Sequence, residues 1–255
     1  MDLIHAIIFG VVEGITEFLP VSSTGHLILT ARLLGLSQTD FLKSFQIAIQ
    51  LGAILAVVVL YGKTLLFDCK VFKRIMAAFI PTAIIGFIFY KIIKMWLGDS
   101  HIVLWALFLG GVFLIVFDLW HREDAKAIAH VEDISYRTAS LIGLFQALSM
   151  IPGVSRAAAT IIGGLVLGVQ RKTIVEFSFL LAIPTMAAAT GFDLLKNAHV
   201  FSFEHWRILT VGFGVSFIVA LASIRFLLHY IQKHNFVVFG VYRILVVIIF
   251  LLIGV

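Results

Sequence analysis

Charge is scarce along these 255 residues: 13% are Asp, Glu, Lys or Arg, against 61% hydrophobic. A soluble domain carries about 25% charged and roughly 45–50% apolar residues, and a mean hydropathy of +1.10 excludes one. The chain reads as a polytopic membrane protein. It holds a single cysteine, Cys69, in a basic loop, which excludes an intrachain disulfide or a cysteine metal cluster. No groove of interleaved aromatic and basic residues is present to take nucleic acid. The net charge of +5 is read instead as loop lysines and arginines at an anionic membrane surface. The opening stretch MDLIHAIIFGVVEG lacks a basic flank and a small-residue cleavage site, so no removable signal peptide is expected.

What is present is long apolar runs. A membrane helix needs about 20 predominantly apolar residues, and six stretches supply them: 43–62, 75–95, 101–120, 174–195, 207–230 and 236–255. Their apolar residues are continuous rather than alternating, which favours helices over barrel strands. Four shorter pieces, 3–16, 18–31, 139–151 and 157–170, do not fit. A helix of about 14 residues rises only about 21 Å against a hydrocarbon core of roughly 30 Å. They are expected to form two re-entrant hairpins enclosed by protein.

The hairpins read as copies. A shift of 132 superposes Pro20 on Pro152, Ser23 on Ser155 and Phe45 on Phe177. Each half, 1–132 and 133–255, then consists of a hairpin and three spans. An odd number of crossings delivers the second hairpin to the opposite face, so the halves are expected to be inverted repeats whose broken segments meet near the bilayer midplane. Lys63, Lys70, Lys73, Arg74, Arg122, Lys126, Arg137, Arg171, Lys172 and Lys233 fall on one side of this topology. The positive-inside rule makes that side cytoplasmic and turns the first hairpin outward.

The hairpins also hold the polar residues. Glu13 and Glu17, four apart, share a helix face; paired carboxylates repel unless a proton or cation lies between them. They suit a hard divalent ion, Mg²⁺ or Ca²⁺; a pair of interfacial helix-end acids is the plainer alternative. After Pro20, Ser22, Ser23 and Thr24 open a new helix. One hydroxyl suffices for its N-cap, and a helix start offers free N–H groups to phosphate. His26 is three residues beyond Ser23 on the same face; a buried structural histidine is its plainer reading. In the second hairpin Ser155 and Arg156 follow Pro152-Gly153, and Arg156 precedes fourteen residues without a charge. An arginine in such a setting needs an anion. Its planar fork fits phosphate, and a structural bridge to Glu13 or Glu17 is the alternative. Thr160, one turn further, is expected in the same pocket. Gln46 and Gln50 place two amides on one face of the first span, lining the cavity or bridging helices.

Glu13-Gly-Ile-Thr-Glu17-Phe-Leu-Pro-Val-Ser-Ser-Thr-Gly-His26 and Pro152-Gly-Val-Ser-Arg156-Ala-Ala-Ala-Thr160 resemble the two signature motifs of the undecaprenyl-pyrophosphate phosphatase family, the bacitracin-resistance proteins. The likeness runs the length of the chain; one departure is Ala157, where the family often has serine. The resemblance implies a bacterial cytoplasmic-membrane hydrolase with an outward-facing site and a divalent-cation requirement. Its substrate would be a polyprenyl diphosphate, undecaprenyl diphosphate, cleaved to the lipid monophosphate that carries envelope glycans. It also implies functional roles at Glu13, Glu17, Ser22, Ser23, Thr24, His26, Ser155, Arg156 and Thr160. The expected arrangement has Ser23 as nucleophile, His26 or Glu17 as its base, and Arg156 with a cation at Glu13 and Glu17 holding the diphosphate. Water attack with Glu17 as base is the leading rival. Inverted repeats with broken helices are also the plan of transporters and flippases, so a carrier of polyprenyl phosphate lipids stays open. So does the oligomeric state, a homodimer included.

Overall fold

The computed structural model describes residues 1–96, 99–124, 126–197 and 205–253. Among them are ten α-helices and no strand: α1 Leu3–Thr16, α2 Ser23–Leu33, α3 Asp40–Phe67, α4 Cys69–Trp96, α5 Ser100–Trp120, α6 Tyr136–Ala147, α7 Arg156–Val166, α8 Arg171–Asn197, α9 Trp206–Tyr230 and α10 Val237–Leu252. Single 3₁₀ turns occupy Val131–Asp133 and Leu148–Met150. The all-helical expectation holds. Five helices are long and apolar enough to cross a bilayer: Asp40–Thr64, Cys69–Tyr90, Ser100–Trp120, Arg171–Lys196 and Trp206–Tyr230. Their outer faces carry large apolar side chains, with Phe87 81% and Trp105 64% exposed, as lipid contact requires. The chain is a multi-pass membrane protein.

The sixth expected span is shorter than the sequence suggests. The α10 helix has 16 residues and rises about 24 Å, while the last two residues of the expected 236–255 span lie outside the described residues. The four short pieces are helices of 14, 11, 12 and 11 residues. The first falls on its expected bounds; α2 begins later than expected, because residues 17–21 form a turn.

Local signals explain the ends. Asp2 caps α1 reciprocally with His5: its carboxylate accepts from the His5 amide at 2.9 Å, and His5 Nδ1 accepts from the Asp2 amide at 3.2 Å. Ser135, Ser22 and Ser155 cap α6, α2 and α7 through their hydroxyls. The capping geometry of the two hairpins coincides at an offset of 133 rather than 132. Ser22 (φ 72°) matches Ser155 (φ 80°), and Gly35 (φ 65°) matches Gly168 (φ 77°). The second break is one residue longer, Pro152-Gly153-Val154-Ser155 against Pro20-Val21-Ser22, which accounts for the extra step.

The short helices dock on long ones through glycine. A Cβ on Gly10 would meet the Gly212 carbonyl at 2.7 Å, and one on Gly14 the Ser216 carbonyl at 2.8 Å; α1 therefore lies backbone to backbone on α9. Gly143 plays the same part for α6 on α4, against the Ala78 carbonyl. Each hairpin thus leans on a long helix from the other half of the chain, while α3 packs on α8 and α5 on α10. The buried rings of Phe18 and Phe179 meet edge-to-face at 5.4 Å directly beside the breaks.

Candidate active site

Two interrupted helices bring their N-termini together. Each interruption forces its capping serine to positive φ, a region non-glycine residues occupy at a strain of about 1–3 kcal/mol and only where the surroundings hold them. The Ser22 hydroxyl accepts from the Gly25 amide at 3.4 Å and the Ser155 hydroxyl from the Ala158 amide at 3.2 Å. Between the two ends lies a cavity of about 160 Å³, lined by Glu17, Ser22, Ser23, Thr24, Gln50, Ser155 and Arg156 together with Ser149, Thr185, Met186 and Ala189. Residues of the first break and of the second line one chamber.

Glu17 links the halves. The Ser23 hydroxyl donates to its Oε2 at 2.5 Å, and Arg156 donates Nη2–H to its Oε1 at 3.0 Å. Arg156 Nη1 donates to the Ser178 carbonyl at 2.8 Å, and its guanidinium lies 5.7 Å from the Phe18 ring centroid. Its Nε is buried and unpartnered. The structural bridge and the cavity-facing arginine are thus the same residue: Arg156 pairs with Glu17 and still lines the chamber.

Two expectations are corrected, and the open alternative for Gln46 and Gln50 is resolved. His26 makes no hydrogen bond to Ser23 or Glu17: its Nδ1 bonds the Ser22 carbonyl at 2.8 Å and its Nε2 the Tyr242 hydroxyl at 2.9 Å. Its ring stacks on Tyr242 at 5.5 Å, so both nitrogens are committed and neither is offered to Ser23. Helical spacing placed it on the right face, yet a side chain 216 residues away claims it. Thr160 is fully buried and donates to the Arg156 carbonyl at 2.9 Å and to Gln146 Oε1 at 3.4 Å; it braces α7 from behind rather than lining the chamber. Gln46 bridges helices, donating to the Leu27 carbonyl at 3.4 Å, and only Gln50 of the pair lines the cavity.

Glu13 is fully buried, and neither of its oxygens has a hydrogen-bond partner. It lies one turn before Glu17 and within electrostatic reach of Glu17 and Arg156. An unpartnered buried carboxylate beside a second one is a donor set that a hard cation fits. Among the described residues no cluster of three or more His, Cys, Asp or Glu assembles a metal site. A cation at Glu13 and Glu17 would therefore draw its remaining oxygen ligands from substrate or water, as Mg²⁺ does at phosphate sites.

Sequence reasoning missed the groups that hold the site from outside. Arg243 of α10 is fully buried and donates to the carbonyls of Gly153 (2.6 Å), Ala106 (3.1 Å), Val154 (3.2 Å) and Pro20 (3.5 Å). Backbone carbonyls leave no mark in a sequence. Tyr242 gave no signal either; only a charge at 243 within an apolar run hinted that this face of α10 turns inward.

Comparison with known proteins agrees with the motifs. Residues 6–249 match the family described as Bacitracin resistance protein BacA. A protein of Sulfurihydrogenibium sp. (strain YO3AOP1) named undecaprenyl-diphosphatase is 52% identical over 252 residues, 99% of each chain. One of the same name from Wolinella succinogenes is 52% identical over 251 residues, 98% of each chain. A third, from Aquifex aeolicus, is 53% identical over 243 residues, 95% of this chain and 94% of its own.

Proposed function

The chain belongs to the bacitracin resistance protein BacA family, and from that premise we propose that the chamber between Ser23 and Arg156 is where its chemistry occurs. Its activity is hydrolysis of undecaprenyl diphosphate to undecaprenyl phosphate and inorganic phosphate, which returns the lipid carrier to cell-wall synthesis and confers bacitracin resistance. The observation that carries the assignment of the site is the Ser23–Glu17–Arg156 chain.

A serine hydroxyl is a weak nucleophile until a base takes its proton. Glu17 Oε2 already accepts that hydrogen bond, so Glu17 is the base. Ser23 Oγ attacks the terminal phosphorus; the Oγ–P bond forms as the bridging P–O bond breaks. The electron pair leaves with undecaprenyl phosphate, and the serine proton stays on Glu17. Water then attacks the phosphoserine, Glu17 returns its proton to Oγ, and inorganic phosphate departs. Phosphoryl transfer is accelerated chiefly by positioning and by charge on the equatorial oxygens. Arg156 and the free N–H groups opening α2 and α7 supply that charge. Glu13 and Glu17 would hold a divalent cation, whose charge would offset that of the diphosphate.

The same reading includes the topology. The halves 1–132 and 133–255 are inverted repeats, α1–α2 and α6–α7 are re-entrant hairpins, and α10 is the sixth crossing, in a bacterial inner membrane with the chamber facing outward. In support stand the matched positive-φ serines, the equal lengths of α2 and α7, the reciprocal docking of α1 on α9 and α6 on α4, and the basic residues Lys63, Lys70, Lys73 and Arg74, which lie not in the expected loop but on the helix ends either side of Asp68.

The test is phosphate release from undecaprenyl diphosphate by purified protein in detergent micelles, with and without chelator. Release by the wild type, abolished in Ser23→Ala and restored to the chelated enzyme by Mg²⁺ or Ca²⁺, is expected. Transport in vesicles without release would instead make the chamber a carrier's.

A further inference from the structure

Arg243 stands apart among the buried charges. Arg156 and Arg171 each face a carboxylate; the charge of Arg243 is met by four backbone carbonyls, with its Nε unpartnered. A buried arginine without an anion is unfavourable unless such acceptors are held in place for it. The acceptors come from three separate segments: Pro20 in the first break, Gly153 and Val154 in the second, and Ala106 in α5. Room is made by glycine, since a Cβ on Gly110 would meet Nη2 at 2.5 Å and Cζ at 2.9 Å.

The bonds fall where the backbone is least able to hold itself. Val154 immediately precedes Ser155 and Pro20 is two residues before Ser22, the two serines at positive φ. A trans peptide points its carbonyl and its next N–H in opposite directions. Fixing the Val154 carbonyl on Arg243 therefore turns the Ser155 amide to the far face of the break. The neighbouring residue Tyr242 fixes His26 in the first turn of α2. One guanidinium thus ties the start of α2 to the start of α7, and with them Ser23 to Arg156.

We propose that Arg243 is a positioning residue for the phosphatase reaction: bonded to the Pro20, Gly153 and Val154 carbonyls, it sets the distance and register between Ser23 and Arg156. This rests on the reading of those two residues as partners in the reaction. It predicts that loosening the clamp lowers turnover through the pair and through nothing else.

The experiment is a double-mutant cycle on kcat for phosphate release from undecaprenyl diphosphate, in folded, monodisperse protein. R243K keeps the charge but cannot span four carbonyls; G110A crowds the guanidinium from α5. Either change is expected to lower kcat about 100-fold, the size of an ångström-scale misplacement. In an R156K background the same change should cost less than about threefold, because the geometry it disturbs no longer matters. A merely structural role would give the same fold-loss in both backgrounds, and that additivity would overturn the proposal. So would full turnover in R243K while R156K is impaired. If R243K does not fold, G110A in the two backgrounds decides by the same criteria. Wild-type turnover in R156K alone would instead remove the underlying reading of the pair.

Discussion

Glu17 has two oxygens, and each is engaged by a different half of the chain: one by the Ser23 hydroxyl, the other by Arg156. Glu17→Gln retains the shape and a hydrogen bond to Ser23 but can neither take the proton nor offer a charge to Arg156 or a cation. It is expected to lower kcat for phosphate release by about 10²–10⁴-fold, the usual worth of a general base; near-normal turnover would take the base role away from Glu17. His26 offers the contrasting case. With both ring nitrogens occupied by Ser22 and Tyr242, removal of its partner by Tyr242→Phe leaves a buried imidazole nitrogen unmet, at about 1–3 kcal/mol. Thermal unfolding in detergent should show that loss. If the pH profile of kcat in Tyr242→Phe moves while the unfolding temperature does not, the histidine takes part in the proton transfer after all.

At the scale of elements, the two breaks depend on serines that do two things, capping a helix and bearing a positive φ. Replacing Ser155 by glycine gives up only a few tenths of a kcal/mol of cap and relieves the strained φ. Ser155→Val gives up the cap and is strained more severely by its branched Cβ. Ser155→Gly is therefore expected to unfold at a temperature equal to or above the wild type, and Ser155→Val several degrees below; the reverse order would mean the φ is not a source of strain. The breaks themselves were readable, because Pro20 and Pro152 interrupt apolar runs too short to span, and the bounds of α1 were those of the short apolar piece that ends among Glu13 and Glu17. The one-residue offset between the two breaks was not read. Three identities fit a shift of 132, while only the dihedral angles show that Ser22, and not Ser23, is the counterpart of Ser155. Thr160 failed for a related reason: helical spacing gives a face, but the rotation of α7 against α6, with Gln146 behind it, decides which way that face looks.

At the scale of the whole molecule, membrane character was legible at once from the scarcity of charge. The convergence of residues far apart in sequence followed from counting crossings. The pairs that close the structure were not legible, since they join residues with no common pattern. Arg171, for example, donates to Asp118 at 2.7 Å, and Asp118 accepts in turn from the Phe236 amide, drawing together the ends of α5, α8 and α10. Asp118→Ala would leave Arg171 half-enclosed without its counter-charge, a loss of about 3–5 kcal/mol for a buried pair, measurable as a lower unfolding temperature. The topology has a test built into the chain. Cys69 is exposed at the start of α4 and is the protein's single cysteine, so a membrane-impermeant thiol reagent should label it only after the cells are permeabilised. Labelling in intact cells would place the α3–α4 junction outside and reverse the orientation.

All three scales meet in the claim that Ser23, deprotonated by Glu17 and faced by Arg156, takes the phosphoryl group. The direct measurement is mass spectrometry of enzyme quenched in acid during turnover of undecaprenyl diphosphate. A phosphoryl group on the peptide containing Ser23, accumulating and decaying with the reaction, is the predicted result. Undiminished turnover by Ser23→Ala, with no phosphopeptide from the wild type at any time, would contradict it.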